Sequence, residues 1–204
     1  MVARKSKAET AQTRKRIVEI AARAFRSHGI EATGVAEIMA TAGLTHGAFY
    51  RHFASKEQLI AEACASGMEL LVGSAQAAAK SGDAAFLRHI EAFVSTEYRP
   101  EYLGGCPLVA MGSELARADT ETRRVVSQGY RQMIDLIASR NQNPGSRSAL
   151  KDSIFILSSM IGAVTIARIM DDSKFSKKIL SIARKQLTQA PKTARRKATR
   201  SKAV

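Results

Sequence analysis

The chain has 204 residues, 45% of them hydrophobic and 25% charged, enough to bury a sizeable core in one or two compact units. Thirteen Gly and four Pro exclude a collagenous or low-complexity chain, and two cysteines, Cys64 and Cys106, supply no disulfide framework and fit a reducing cytoplasm. Lys and Arg outnumber Asp and Glu by 32 to 18, and a formal charge of +14 puts a polyanion first among partner classes.

Residues 1–9, with Arg4, Lys5 and Lys7, read as a flexible basic arm. No apolar segment or small-residue cleavage site follows, so no targeting signal is expected. Ile17, Ile20, Ala21, Ala24 and Phe25 form one helical stripe that ends at Gly29. A short helix over 35–41 stops at Gly43, and a further one spans 46–53. Ser55, Lys56, Glu57 and Gln58 make a capping box that opens a longer helix through Leu59, Ile60, Ala63, Cys64 and Gly67. Asp83 is expected to cap a helix carrying Phe86, Ile90, Phe93 and Glu97, ending before Pro100. Pro107 suits the first turn of the next. Asp119 or Thr120 caps one with Val126, Tyr130, Met133 and Ile137 on a single face. Asn143, Pro144 and Gly145 break the chain before two last helices, 147–171 and 175–188. No run alternates with period two, so the fold class is all-α.

The stretch 154–170 is the most apolar, but it contains Ser158, Ser159, Thr165 and Arg168 and falls short of the about 20 residues a membrane span needs. It is expected to be a buried helix, with no membrane partner. Helix 147–171 is apolar on nearly all faces, and Phe175, Ile179, Leu180 and Ile182 add to it. A helix without a polar face needs cover on both sides, so 147–171 and 175–188 are expected to build a symmetric dimer as a four-helix bundle.

Charge is uneven along the chain. Residues 1–60 hold ten Lys/Arg and five acids, 61–173 eleven and thirteen, and 174–204 eleven and none. The last segment, 191–204, lacks large apolar residues before Val204 and reads as a disordered basic tail.

Residues 33–53, TGVAEIMATAGLTHGAFYRHF, read as helix, tight turn, helix. Val35, Ile38 and Met39 face inward from the first helix, and Phe49 and Phe53 from the second. Thr45, His46, Gly47 and Tyr50 remain on the outer face, small or hydrogen-bonding groups suited to a major groove. With RIVEIAARAFRSHG before it and SKEQL after it, this stretch resembles the DNA-binding domain of the TetR family of bacterial transcriptional regulators.

The resemblance implies an all-α homodimer: an N-terminal three-helix helix-turn-helix domain over 10–56 and a C-terminal helical ligand-binding and dimerisation domain over 57–190. It implies a cytoplasmic repressor that leaves a palindromic operator in double-stranded DNA when a small-molecule inducer binds. By position, it places Thr33, Thr45, His46, Gly47, Tyr50, His52 and Lys56 at the DNA. Two departures stand out: Gly34 replaces a common capping Thr or Ser, and His46 replaces a common Lys.

Residues 104–126, beginning GGCPLVAMGSEL, resemble a subgroup of that family, some of whose members respond to electrophiles or oxidants. Cys106, just before Pro107 at a helix N-terminus, is then a candidate thiolate sensor. Phe86, Ile90, Phe93, Met111, Tyr130, Met133 and Ile137 are candidate linings of an inducer cavity. The four histidines and two cysteines show no metal spacing, and no catalytic constellation or cofactor motif appears. Three readings therefore stand: a ligand-released repressor, a thiol sensor on the same scaffold, and a constitutive nucleic-acid-coating protein.

Overall fold

The computed structural model describes residues 6–95, 105–141 and 143–189. Among these residues every regular element is helical: α1 (Lys7–His28), α2 (Val35–Thr41), a 3-10 segment (His46–Arg51), α3 (Lys56–Lys80), α4 (Asp83–Phe93), α5 (Pro107–Leu115), α6 (Thr120–Ala138), α7 (Arg147–Ile169) and α8 (Ser173–Gln189). The all-α expectation holds. Residues 1–5, Glu97, Pro100, Gly104 and the basic tail lie outside the described residues.

Several boundaries differ from the sequence reading, each for a local reason. Helix α1 begins at Lys7, so residues 7–9 belong to it and not to an arm. Ser6 and Glu9 form a reciprocal capping box, with the Glu9 N–H donating to Ser6 Oγ at 3.2 Å and the Ser6 N–H to Glu9 Oε2 at 2.6 Å. Asp83 is not the cap of α4: Gly82 holds that position, and the Asp83 carboxylate instead accepts from Arg140 at 2.8 Å. Asp119 does cap α6, accepting the N–H of Glu121 at 2.8 Å and of Thr122 at 3.0 Å. Helix α5 is bent at Met111, where φ −134° and ψ 19° interrupt the ladder.

The chain forms two compact units. The first is 1–73 with 99–131, and the second is 74–98 with 132–204. This division departs from a boundary at residue 57, because α5 and the start of α6 are built into the same core as α1 to α3. That core joins Ile17, Phe25, Ile38, Met39, Phe49, Phe53 and Leu59 with Met111, Leu115 and Val126. Close approach makes the junction tight. A Cβ on Gly67 of α3 would lie 3.2 Å from Pro107, and one on Gly129 of α6 would lie 2.5 Å from Met68.

In the second unit α7 packs along α8, and Leu157, Met160 and Val164 on α7 and Leu180 and Leu187 on α8 are buried. Helix α7, Arg147–Ile169, follows the expected 147–171 closely but is less buried than its apolar stretch 154–170 suggests. It has 23 residues and is long and apolar enough, by length and composition, to cross a membrane, with a third of its most apolar stretch buried. Lys151 and Asp152 are charged within its second turn. Phe155 (66% exposed), Ile166 (50%) and Ile169 (72%) on α7 and Phe175 (50%) and Ile182 (54%) on α8 leave a broad apolar face uncovered in the single chain.

Candidate nucleic-acid interface

The interface is built outward from two buried phenylalanines. Phe49 and Phe53 are each 1% exposed and stack at 5.4 Å between ring centroids, as their spacing predicts. They anchor the 3-10 segment, which replaces the regular helix expected over 46–53. With only six residues, its bonds are the tight Ala48 N–H to Thr45 carbonyl (3.0 Å) and His52 N–H to Phe49 carbonyl (2.8 Å) kind.

The turn before it is fixed by the chain itself. The Gly43 N–H donates to the Ala40 carbonyl (2.8 Å) and the Leu44 N–H to the Met39 carbonyl (2.9 Å), a Schellman closure of α2. Gly43 sits at φ 67°, a conformation that a side chain disfavours. Arg16 also donates to the Ala42 carbonyl at this turn.

What the segment presents outward agrees with the sequence pattern for four residues. Thr45, His46 and Gly47 are exposed, and a Cβ on Gly47 would meet nothing within 4 Å. Tyr50 is 67% exposed, its ring edge-on to His46 at 6.2 Å. A ring pair this open costs no core packing to present. His52, half-buried, closes the segment, and its carbonyl accepts Arg14 Nε at 3.0 Å. Arg14 also pairs with both carboxylate oxygens of Glu62 and lies 4.4 Å over the Phe53 ring. One α1 guanidinium thus holds the end of the segment against α3. No amino-acid motif marks Arg14. Only its place three and four residues before Ile17 and Val18, on the same face of α1 as Ala21 and Phe25, hints at a contact.

Two expected members stand differently. Thr33 is fully buried and spends its hydroxyl on the Gly29 carbonyl at 2.7 Å, so its side chain has no surface to offer DNA. Lys56 is half-buried and donates to the Ile30 carbonyl at 2.9 Å. The N–H of the same Ile30 donates to Glu114 Oε1 at 2.8 Å, and that of Glu31 to the same oxygen at 3.0 Å. The loop from α1 to α2 is therefore held on one side by the start of α3 and on the other by α5. Gly29 lets this happen: its φ is 91°, and a Cβ there would lie 3.2 Å from the Glu114 carboxylate. Gly34 begins α2 with no side-chain cap, the departure noted in the sequence.

Cys106 is buried, where a thiolate sensor needs access. Cys106 is 2% exposed, and burial pushes its thiol up; the N–H groups of Val109 and Leu108 at the helix start pull it down by less. The dipole argument is present but loses to desolvation. Cys64 lies in the core as expected, its thiol pushed up to about 12 by burial.

The expected cavity residues divide between the two units. Met111 and Tyr130 belong to the first, as does the sensor candidate Cys106, and Met111 is part of the core there. Phe86, Ile90, Phe93, Met133 and Ile137 belong to the second, all buried except the half-buried Ile90. No group of three or more metal-ligating side chains occurs among the described residues.

Residues 17–63 match the family model described as bacterial regulatory proteins, tetR family. The chain is 43% identical over 61 residues to the HTH-type transcriptional regulator AcrR of Shigella flexneri, and 35% identical over 68 residues to the HTH-type transcriptional repressor KstR2 of Mycolicibacterium smegmatis. These matches take in 30% and 33% of this chain and only 28% and 33% of those relatives. Among solved structures, a TetR transcriptional regulator from Chloroflexus aurantiacus superposes with a TM-score of 0.72 at 26% identity, covering 89% of this chain and 97% of that one. E. coli NemR in its reduced form shares the fold, with a TM-score of 0.72 at 19% identity over 86% of this chain and 95% of that one.

Proposed function

We propose, from the match of residues 17–63 to the tetR family of bacterial regulatory proteins and from its relatives, that this chain is a cytoplasmic transcriptional repressor of that family. It binds a palindromic DNA operator as a homodimer and leaves it when a small apolar ligand binds. The observation that carries the reading is the outward pair His46 and Tyr50 on a segment pinned from beneath by Phe49 and Phe53. A rigid support with exposed hydrogen-bonding side chains is what base-edge and phosphate contacts need. Thr45, His46, Gly47 and Tyr50 enter the major groove, while His52 and Lys56 flank it on the backbone. Relatives called transcriptional regulators or repressors support the same reading.

Dimerisation supplies the symmetry a palindrome requires. The uncovered apolar face of α7 and α8 is the surface a second copy covers, and it supports a bundle of two helices from each chain. The inducer site draws on Phe86, Ile90, Phe93, Met133 and Ile137, the apolar side chains of the second unit. Burial of Cys106 gives the thiol-sensor alternative no footing.

The test is selection of bound duplexes from a random pool, followed by affinity measurement on the selected site and a scrambled one. A palindromic consensus bound well above scrambled DNA is the expected result. Equal affinity for both at moderate salt overturns the reading, because phosphate contacts alone discriminate little between sequences.

A further inference from the structure

We propose that Arg16 on α1 is a phosphate contact of the DNA-bound protein, gripping the backbone at the rim of the major groove that the 3-10 segment enters. The inference rests on the DNA binding proposed above and adds to it a residue from outside the helix-turn-helix.

Two arginines of α1 reach that segment, and they differ in what each has left to offer. Arg14, half-buried, spends its guanidinium inward at the far end: on the His52 carbonyl (3.0 Å), on both Glu62 carboxylate oxygens and 4.4 Å over the Phe53 ring. Arg16 lies two residues on, about 200° round the helix, and reaches the near end. Its Nη2 donates to the Ala42 carbonyl and lies 3.6 Å from where a Cβ on Gly43 would stand. The residue is nonetheless exposed. A guanidinium carries five N–H donors, so most remain after one is given to the turn. Its planar fork matches phosphate oxygens. Held at one nitrogen, the long side chain has already lost part of its freedom, so an anion contact costs less to order.

Distance places this cation at the DNA backbone. Gly43 is three residues before His46, which is at most about 11 Å between Cα atoms. The guanidinium is therefore no more than about 16 Å from the Cα of His46. The major groove is about 12 Å wide and 8.5 Å deep, so the phosphates on its rim stand about 10 Å from a side chain at its floor. All of these residues belong to the first compact unit.

The surroundings leave the charge available. Residues 38–56 contain no acid. The ion pairs among the described residues are Arg14–Glu62, Arg124–Glu121 and Arg140–Asp83, and none takes Arg16. On α1 the Glu9 carboxylate accepts the Ser6 N–H (2.6 Å), and Glu19 lines a cleft with Lys15, Glu62 and Glu69. Glu37 stands in the first turn of α2, at the opposite end of that helix from Ala42.

The experiment uses R16Q and R16K in the full chain, with circular dichroism and thermal melts to check the fold. Affinity is measured across a salt series for a selected operator and for a scrambled duplex. Each phosphate contact contributes about 0.9 to the slope of log K against log salt. R16Q should lower the slope by about that amount on both duplexes, and R16K, which keeps the charge, should restore it. Phosphate ethylation should weaken operator binding by the wild type at a position to which R16Q is indifferent. An unchanged slope in R16Q overturns the proposal. Weaker binding at unchanged slope does so too, because that is the mark of a residue that only holds the turn. The wild-type ratio of operator to scrambled affinity reads the proposed function and the slope reads Arg16, so failure of one is distinct from failure of the other. A wild type that binds neither duplex overturns both.

Discussion

Glu114 and Ile30 are 84 positions apart in sequence and joined by a 2.8 Å hydrogen bond from the Ile30 N–H to the Glu114 carboxylate. The carbonyl of the same residue accepts Lys56 Nζ at 2.9 Å. One loop residue thus links α5 to the start of α3, and the loop leads directly into α2. A hydrogen bond to a charged group contributes about 1.5–3 kcal/mol. Glu114→Ala should therefore destabilise the protein by about 2 kcal/mol, measured by urea unfolding, and weaken operator binding. Glu114→Gln should recover part of both. A double-mutant cycle with Lys56→Ala should show coupling of about 0.5 kcal/mol or more, since both groups act on one residue.

Tyr50 and Phe49 are neighbours with opposite consequences. Tyr50→Ala should leave the melting temperature nearly unchanged, because the ring is mostly in solvent, and should weaken operator binding by about 1–3 kcal/mol. Phe49→Ala should cost about 3–5 kcal/mol of stability, because it empties the core under the segment. Thermal melts and fluorescence anisotropy on both variants separate the two.

The apolar face gives a prediction about assembly. Phe155→Asp together with Phe175→Asp should produce a folded monomer at micromolar concentration, seen by sedimentation, since a buried unpaired carboxylate opposes the contact. Operator affinity should fall steeply, because two half-sites no longer engage together.

Buried thiols make a chemical prediction. Native protein at neutral pH should resist iodoacetamide at both Cys64 and Cys106 and react at both once unfolded, as intact mass would record. Because burial raises the Cys64 thiol from 9.0 to about 12, its share of stability is fully present below pH 9. That share declines as the pH rises toward the folded value. Alkylation of Cys106 in the native protein would restore the sensor reading.

At the acid end, Asp119 is held below its usual value, first by the Thr122 hydroxyl and then by backbone N–H groups at the start of α6. Its contribution is present above the ordinary carboxylate range and is lost as the pH falls through the lowered folded value. Asp119→Ala should cost about 1 kcal/mol at neutral pH, as loss of a helix cap does, and flatten the acid limb of the stability profile.

The helical fold was legible because apolar spacing and punctuation agreed. Phe49 and Phe53 at four residues apart, Gly43 in the turn and Ser55 before α3 each announced their place. Thr33 misled because a family position does not report burial: only the fold reveals that its hydroxyl turns back to Gly29. Cys106 misled because a helix N-terminus is visible in sequence and desolvation is not. Arg14 and Glu114 were missed because their partners lie 48 and 84 residues away, beyond any local pattern. Ser6 was overlooked although its signal, a serine three residues before Glu9, is local.

The core that encloses the helix-turn-helix has a consequence for modularity. The match to the family model ends at residue 63, yet the side chains that seal the helix-turn-helix include Met111, Leu115 and Val126. The heritable signature is smaller than the piece that folds. A chimera carrying 1–63 on a relative's remaining chain therefore inherits a hole unless the graft brings a matching α5 and the first turns of α6. Specificity in this protein is not a cartridge; it travels only with the segment that closes over it.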